Sequence, residues 1–157
     1  MGTTTKTLYE TDFAEWAART AEALRQGNLD AADLENVAEE IEDLGKSQRA
    51  AVRSQMLRLL KHVVKQRIQP ARAGSSWRGS IVGAHQQIQL RLEDSPSLRR
   101  HLSETVQATW QMAIKAALAE TGLTARTIGF DLPKTCPCSL DQLLDGDLEE
   151  LWPRHQG

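Results

Sequence analysis

Two histidines offer acid–base or metal chemistry in this chain. His62 and His85 lie at the margins of otherwise apolar helical faces, where a buried imidazole needs a hydrogen-bond partner. A ring that titrates near neutral pH can act as a general base or bind a metal ion. The alternative, without catalysis, is that both rings are simply hydrogen-bonded at the edge of the core. Both interpretations are compatible with the spacing.

A dense group of carboxylates precedes these histidines. Glu35, Glu39, Glu40, Glu42 and Asp43 fall within nine positions, and Glu39 neighbours both Glu35 and Asp43 on a helix surface. Carboxylates held this closely repel one another, and a bound cation or a facing arginine would remove that cost. The alternative is a solvated helix face or pairing with basic residues elsewhere.

An enzyme site would need the histidines and the carboxylates to meet. The candidates for it are His62, His85, Glu39 and Glu40. A continuous helix places Glu39 and His62 about 35 Å apart, at 1.5 Å per residue. A shared site therefore requires a break, for which Gly45 is the available position.

Other chemical motifs are incomplete. Residues 74–80 have the glycine spacing of a phosphate-binding loop without its lysine, and the nucleophile elbow of serine hydrolases is missing. Cys136 and Cys138 are too close together for the usual spacing of zinc ligands, and two cysteines make no disulfide framework. The sequence therefore predicts neither a cofactor nor a metal.

Charge is divided sharply along the chain although the net charge is only -2. Residues 1–43 have a balance of -8, residues 44–92 of +10 and residues 93–157 of -4. Such blocks occur at nucleic-acid and membrane surfaces, and residues 46–78 are a candidate nucleic-acid interface. The favoured alternative is that the acidic and basic blocks neutralise each other within the fold, because the isoelectric point is near 6.1.

Helical signals account for most of the chain. At 157 residues, with 40% apolar and 25% charged residues, we expect a single domain over 1–157. Its core spans about 9–122, and 123–157 forms an irregular extension. Apolar residues recur at three- and four-residue spacing, and no alternating strand pattern competes.

The predicted elements are four main helices and two short ones. The first begins after Asp12 and ends at Gly27, and the second is long and central. The second helix spans about 31–68, and the third starts at a Ser75 or Ser76 cap. The fourth runs from Ser95-Pro96 to 121, and two short capped helices follow at 139–144 and 147–153. The prediction is an all-α helical bundle.

One apolar face runs along the second helix. Its members share a face at 100° per residue, and we expect them to point inward. They are Leu34, Val37, Ala38, Ile41, Leu44, Val52, Met56, Leu59 and Val63.

The location of the protein follows from what its sequence lacks. The amino end has no apolar signal-peptide core, and no apolar run reaches the roughly 18 residues that span a bilayer. We expect a cytoplasmic protein without a membrane partner.

Several motifs in a fixed order resemble one known family. They are residues 9–16 (YETDFAEW), 39–45 (EEIEDLG), 59–65 (LLKHVVK), Ser76-Trp77, 95–98 (SPSL) and Cys136-Pro137. Together they resemble the bacterial family catalogued as domain of unknown function twenty-nine, over about residues 9–153. The resemblance implies a bacterial, all-helical, single-domain protein and implies no activity. It directs attention to Glu39, Glu40, Gly45, His62 and Trp77.

Three functions are compatible with these features. The leading one is a non-catalytic interaction or regulatory module that binds a protein partner or a second copy of itself. The second is a metal-dependent or acid–base enzyme using His62, His85 and the Glu39–Asp43 cluster. The third is nucleic-acid binding through residues 46–78.

Overall fold

A computed structural model describes residues 6–28 and 30–152, and every regular element in that part of the chain is helical. The elements are α1 (Leu8–Thr11), α2 (Phe13–Arg25), α3 (Ala31–Ile68), a 3₁₀ turn (Pro70–Arg72), α4 (Ser75–Asp94), α5 (Leu98–Thr121) and α6 (Leu140–Asp145). The predicted all-α fold is confirmed. Residues 1–5, part of the segment used to exclude a signal peptide, and Pro153 lie outside the described residues.

The chain divides into two compact units, Met1–Ser47 and Gln48–Gly157. The N-terminal unit contains α1, α2 and the first part of α3. Its helix α2 starts as predicted, because the Asp12 carboxylate accepts a hydrogen bond from the Glu15 backbone N–H at 3.0 Å. Beyond its end the chain turns at Gly27, whose φ of 66° is a conformation that costs glycine little. The buried side chains of α2 are Trp16 and Thr20.

Helix α3 is continuous from Ala31 to Ile68 and passes through Gly45 without a break. The Asp30 side chain accepts a hydrogen bond from the Asp33 backbone N–H at 2.9 Å at its start. It ends just before Gln69-Pro70, because a residue that precedes proline avoids the helical region. Both predicted ends are confirmed.

The core of the C-terminal unit is built on the second part of α3. Buried side chains of α3, α4, α5 and α6 form one apolar cluster. Its members with no accessible surface are Val52, Met56, Leu59, Leu60, Val64, Ala84, Ile88, Leu102, Trp110, Ala113, Ala117 and Leu143. This burial places the second part of α3 in the core of its unit.

Two helix starts and one predicted short helix differ from the predictions. Gly74, not a serine, precedes α4, and Ser75 is already its first residue. Helix α5 begins at Leu98, because Ser95 and Pro96 first form a turn in which the Leu98 N–H reaches the Ser95 carbonyl oxygen. Residues 147–152 form turns and bends instead of a helix. In addition, α1 is a single turn that the apolar periodicity did not indicate.

Part of the predicted inward face is exposed. Leu34, Ile41 and Leu44 of α3 are 51%, 63% and 66% exposed. The expectation that these residues point into a core is therefore wrong. No element of the described residues covers these side chains fully, although their spacing is that of a core face.

A pair of leucine substitutions tests where the core lies. Leu60 has no accessible surface and Leu90 is 54% exposed. We expect Leu60→Ala to lower the free energy of unfolding by about 2–5 kcal/mol, because it leaves a cavity. Leu90→Ala should change it by less than about 1 kcal/mol. Urea unfolding followed by circular dichroism measures both, and equal losses would contradict this core.

Candidate functional site

Tyr9 connects the first turn of the chain to the acidic part of α3. Its hydroxyl donates a 2.6 Å hydrogen bond to Oε1 of Glu40. Its ring packs edge-on against Trp16, with centroids 4.7 Å apart, and lies 6.0 Å from the ring of Phe13. The hydrogen bond to Glu40, followed by burial and the charges of the neighbouring carboxylates, raises the pKa of Tyr9 to about 12.

The predicted acidic cluster is mainly a solvent-exposed surface. Glu35, Glu39 and Glu42 are exposed, and Asp43 forms an exposed ion pair with Lys46 at 3.2 Å. Glu40 differs, because it is partly buried and holds Tyr9. The cluster therefore has one structural carboxylate, and its other members give the N-terminal unit an acidic surface.

Apolar side chains occupy another face of the same segment. We call Leu34, Val37, Ile41 and Leu44 the α3 stripe, because their three- and four-residue spacing places them along one side of the helix. Val37 is half-buried, and the other three are more than half exposed. A row of exposed leucine and isoleucine side chains at this spacing is the kind of surface that receives another helix.

His62 is buried in the C-terminal unit. Its Nδ1–H donates a 2.9 Å hydrogen bond to the backbone carbonyl of Arg58, one helical turn earlier. Burial lowers the pKa of His62, and the positive charges of Lys65 and Lys61 act in the same direction against the hydrogen bond. The ring is therefore held neutral near pH 7.

His85 makes a different contact. Its Nε2–H donates a 2.8 Å hydrogen bond to the carbonyl of Leu144, which also accepts a bond from the Gln89 amide at 2.6 Å. Two side chains of α4 thus hold the end of α6. Among the hydrogen bonds of the described residues, none joins His62 to His85. Both histidines have the backbone partners that the non-catalytic interpretation expects.

The four candidate residues are distributed over both units. Glu39 and Glu40 belong to the N-terminal unit, and His62 and His85 belong to the C-terminal unit. Within residues 6–28 and 30–152, no three His, Cys, Asp or Glu side chains form a group that could hold a metal ion. Glu40 gains Tyr9 as its close partner instead.

Several basic residues of the 46–78 segment are engaged inside the C-terminal unit. Lys61 and Lys65 bind opposite oxygens of Glu120 at 2.6 and 3.0 Å, and this pairing holds the pKa of the Glu120 carboxyl below its usual range. The Lys65 ammonium also lies 4.7 Å from the ring centroid of Trp77. Arg67 lies over the rings of Phe130 and Trp152. These contacts engage three cations of the basic block within the unit, and Glu120 is the carboxylate among them that neutralises charge.

Comparison with known families supports the resemblance noted in the sequence. The family described as Domain of unknown function DUF29 matches residues 8–148. The chain belongs to the DUF29 family. Searches of the curated proteins and of the solved structures gave no match. This DUF29 protein has no helix among its described residues with the length and apolar character needed to cross a membrane.

Sequence reasoning missed Tyr9 as a partner of the acidic cluster. Its hydrogen bond to Glu40 joins residues 31 positions apart, and no local spacing indicates such a contact. Two signals were present nonetheless. Tyr9 is the single tyrosine of this DUF29 chain, and it stands four and seven positions before Phe13 and Trp16.

The single tyrosine makes the Tyr9–Glu40 contact directly measurable. Glu40→Gln keeps an acceptor and removes the charge, so we expect the pKa of Tyr9 to fall from about 12 toward its ordinary value near 10. Alkaline titration of the tyrosinate absorbance measures it, with circular dichroism at each pH to verify that the helices persist. Glu42→Gln is the matched control and should leave the midpoint unchanged. Equal midpoints in both variants would contradict the contact.

His62 predicts a specific loss of stability in acid. Its pKa is lowered in the folded state, so the unfolded chain binds more protons as pH falls through about 6.5. The free energy of unfolding should therefore fall between pH 7 and pH 5. His62→Asn keeps a donor near the Nδ1 position and removes the titration, so its stability should fall less over this interval. Urea unfolding at several pH values measures the free energy of unfolding of both proteins. If this free energy changes equally with pH in His62→Asn and in the unsubstituted protein, the role of His62 is refuted.

Proposed function

We propose that this DUF29 chain is a protein-interaction module whose N-terminal unit binds a basic amphipathic helix of a partner protein. The observation that carries the proposal is the exposure of Leu34, Ile41 and Leu44 along the α3 stripe. Exposed leucine and isoleucine side chains are unremarkable singly, but a row of them at helical spacing marks a binding surface.

The spacing favours a helical partner. Positions 34, 37, 41 and 44 follow the three-then-four pattern by which one helix packs its side chains between those of another. Burying the exposed parts of three such side chains contributes about 1 kcal/mol each. That contribution suits a reversible regulatory contact, because association must also offset the loss of freedom of both partners.

Charge favours basic residues on the flanks of the partner helix. Residues 1–47 contain eleven Asp or Glu and four Lys or Arg, a net charge of -7. Several of the carboxylates on α3 are exposed, including Glu35, Glu39 and Glu42. Lysine or arginine beside an apolar seam would be attracted to this surface, which would accelerate association and fix its orientation. Two copies of the same acidic surface would instead repel each other, so a separate partner is favoured over a second copy.

A designed peptide is the direct probe. It has about three heptads, leucine at the seam positions and lysine on both flanks, and its control has glutamate in place of each lysine. We expect micromolar binding of the lysine peptide by fluorescence anisotropy, weakened as salt rises, and at least tenfold weaker binding of the glutamate peptide.

Matched variants locate the binding surface. Ile41→Ser combined with Leu44→Ser should weaken binding of the lysine peptide at least tenfold, because each substitution removes an apolar contact with the peptide. Leu90→Ser makes a comparable change at an exposed site of α4 and should have no effect. Unchanged binding by the double variant would contradict the proposal. The proposal would also be contradicted if sedimentation showed that the unsubstituted protein is a dimer and the double variant is a monomer. In that case a second copy of the chain would occupy the α3 stripe.

A further inference from the structure

The two thiols of the C-terminal unit lie in a bent segment between fixed points. Cys136 and Cys138 flank Pro137, and the chain bends at Pro137 and Cys138. The Cys136 backbone N–H donates a 2.9 Å hydrogen bond to the side chain of Gln107 on α5. Ser139 immediately afterwards caps α6. Both sides of the pair are therefore attached to helices.

Covalent geometry keeps the two cysteines within reach of a disulfide. Residues two apart in an extended chain are separated by about 7 Å, at the upper limit for the Cα atoms of a disulfide. Proline at position 137 holds φ at about −65°, short of full extension, so the Cα atoms of Cys136 and Cys138 lie within that limit. The influence of each thiol on the other is the largest single effect on both of their pKa values.

The two thiols differ in their surroundings. Cys138 is 6% exposed and lines a cavity of about 420 Å³ whose other walls include Gln142, Asp147 and Trp152. The neighbouring Cys136 thiol and, against the opposing effect of burial, the Trp152 backbone N–H lower the pKa of Cys138 to about 7. The same contact raises the pKa of Cys136. One sulfur is thus prepared to be a nucleophile beside a cavity, and its neighbour retains its proton.

We propose that Cys136 and Cys138 form a redox-active thiol pair that is oxidised by hydroperoxides, with Cys138 attacking and Cys136 resolving the product as an intramolecular disulfide. In the first step the Cys138 thiolate attacks a peroxide oxygen. The S–O bond forms, the O–O bond breaks, and the departing oxygen takes up a proton to leave as water or an alcohol. Cys138 becomes a sulfenic acid.

The second step consumes that sulfenic acid. The Cys136 sulfur attacks the Cys138 sulfur, the S–S bond forms and the S–O bond breaks, and the released hydroxide leaves as water with the Cys136 proton. Overall the two thiols lose two electrons and two protons, and the peroxide gains them. A cavity of this volume admits hydrogen peroxide, which is close to water in size.

Intact-mass measurement of the full reduced chain tests the pair. With hydrogen peroxide near pH 7, we expect a loss of two hydrogen atoms per chain, with peptide mapping that links Cys136 to Cys138. Addition of a thiol reductant should reverse it. A chain that gains only oxygen atoms, or that forms only bonds between chains, would overturn the proposal.

Two single variants separate the roles. Cys136→Ser leaves the attacking thiol, so the reaction should stop at a sulfenic acid on Cys138, which dimedone traps. Cys138→Ser is the matched control and should react about tenfold more slowly, because an ordinary thiol with pKa near 8.5 is only a few per cent thiolate at pH 7. Equal rates in the two variants, both verified as folded by circular dichroism, would refute the assignment.

Discussion

Burial of one face of α3 is the interaction on which the C-terminal unit depends. Met56, Leu59 and Leu60 have no accessible surface, and each such side chain contributes about 1.5–3 kcal/mol when it leaves water. The polar contacts follow from that packing. His62 lies within the buried segment, so its ring needs the Arg58 carbonyl, while Lys61 and Lys65 lie at the edge and reach Glu120. Charge pairing in this unit is a consequence of apolar packing and not its cause.

The first part of the same helix shows what periodicity leaves undetermined. Apolar side chains recur at the same spacing from Leu34 to Val63, a pattern that left a break at Gly45 open, and the structure shows one continuous helix. Spacing determines which side chains share a face, and it does not determine whether another element covers that face. Met56 is covered and Ile41 is 63% exposed, although both belong to the same sequence pattern. The exposed part of the face therefore had to come from the structure.

Helix ends were predictable where one interaction dominates. Asp12 caps α2 and Gly122 adopts the left-handed conformation after α5, since an Asx side chain and a residue without Cβ are strongly selected at these places. Serine and proline are less specific, because the same residues start turns. At Ser95-Pro96 a turn forms before α5 begins, and at Ser75 the helix has already started.

Candidate chemistry was harder to predict than the helices because its partners are remote or belong to the backbone. His85 bonds to a carbonyl 59 positions away, and a carbonyl carries no signature in the sequence. The non-helical segment before α6 also depends on partners that are remote in the sequence. Its backbone groups need partners, and α5 supplies three: Trp110 donates to the Pro133 carbonyl, Gln111 donates to the Lys134 carbonyl, and Gln107 accepts from Cys136. Side chains of one helix thereby position the chain around the two thiols although that segment has no regular secondary structure.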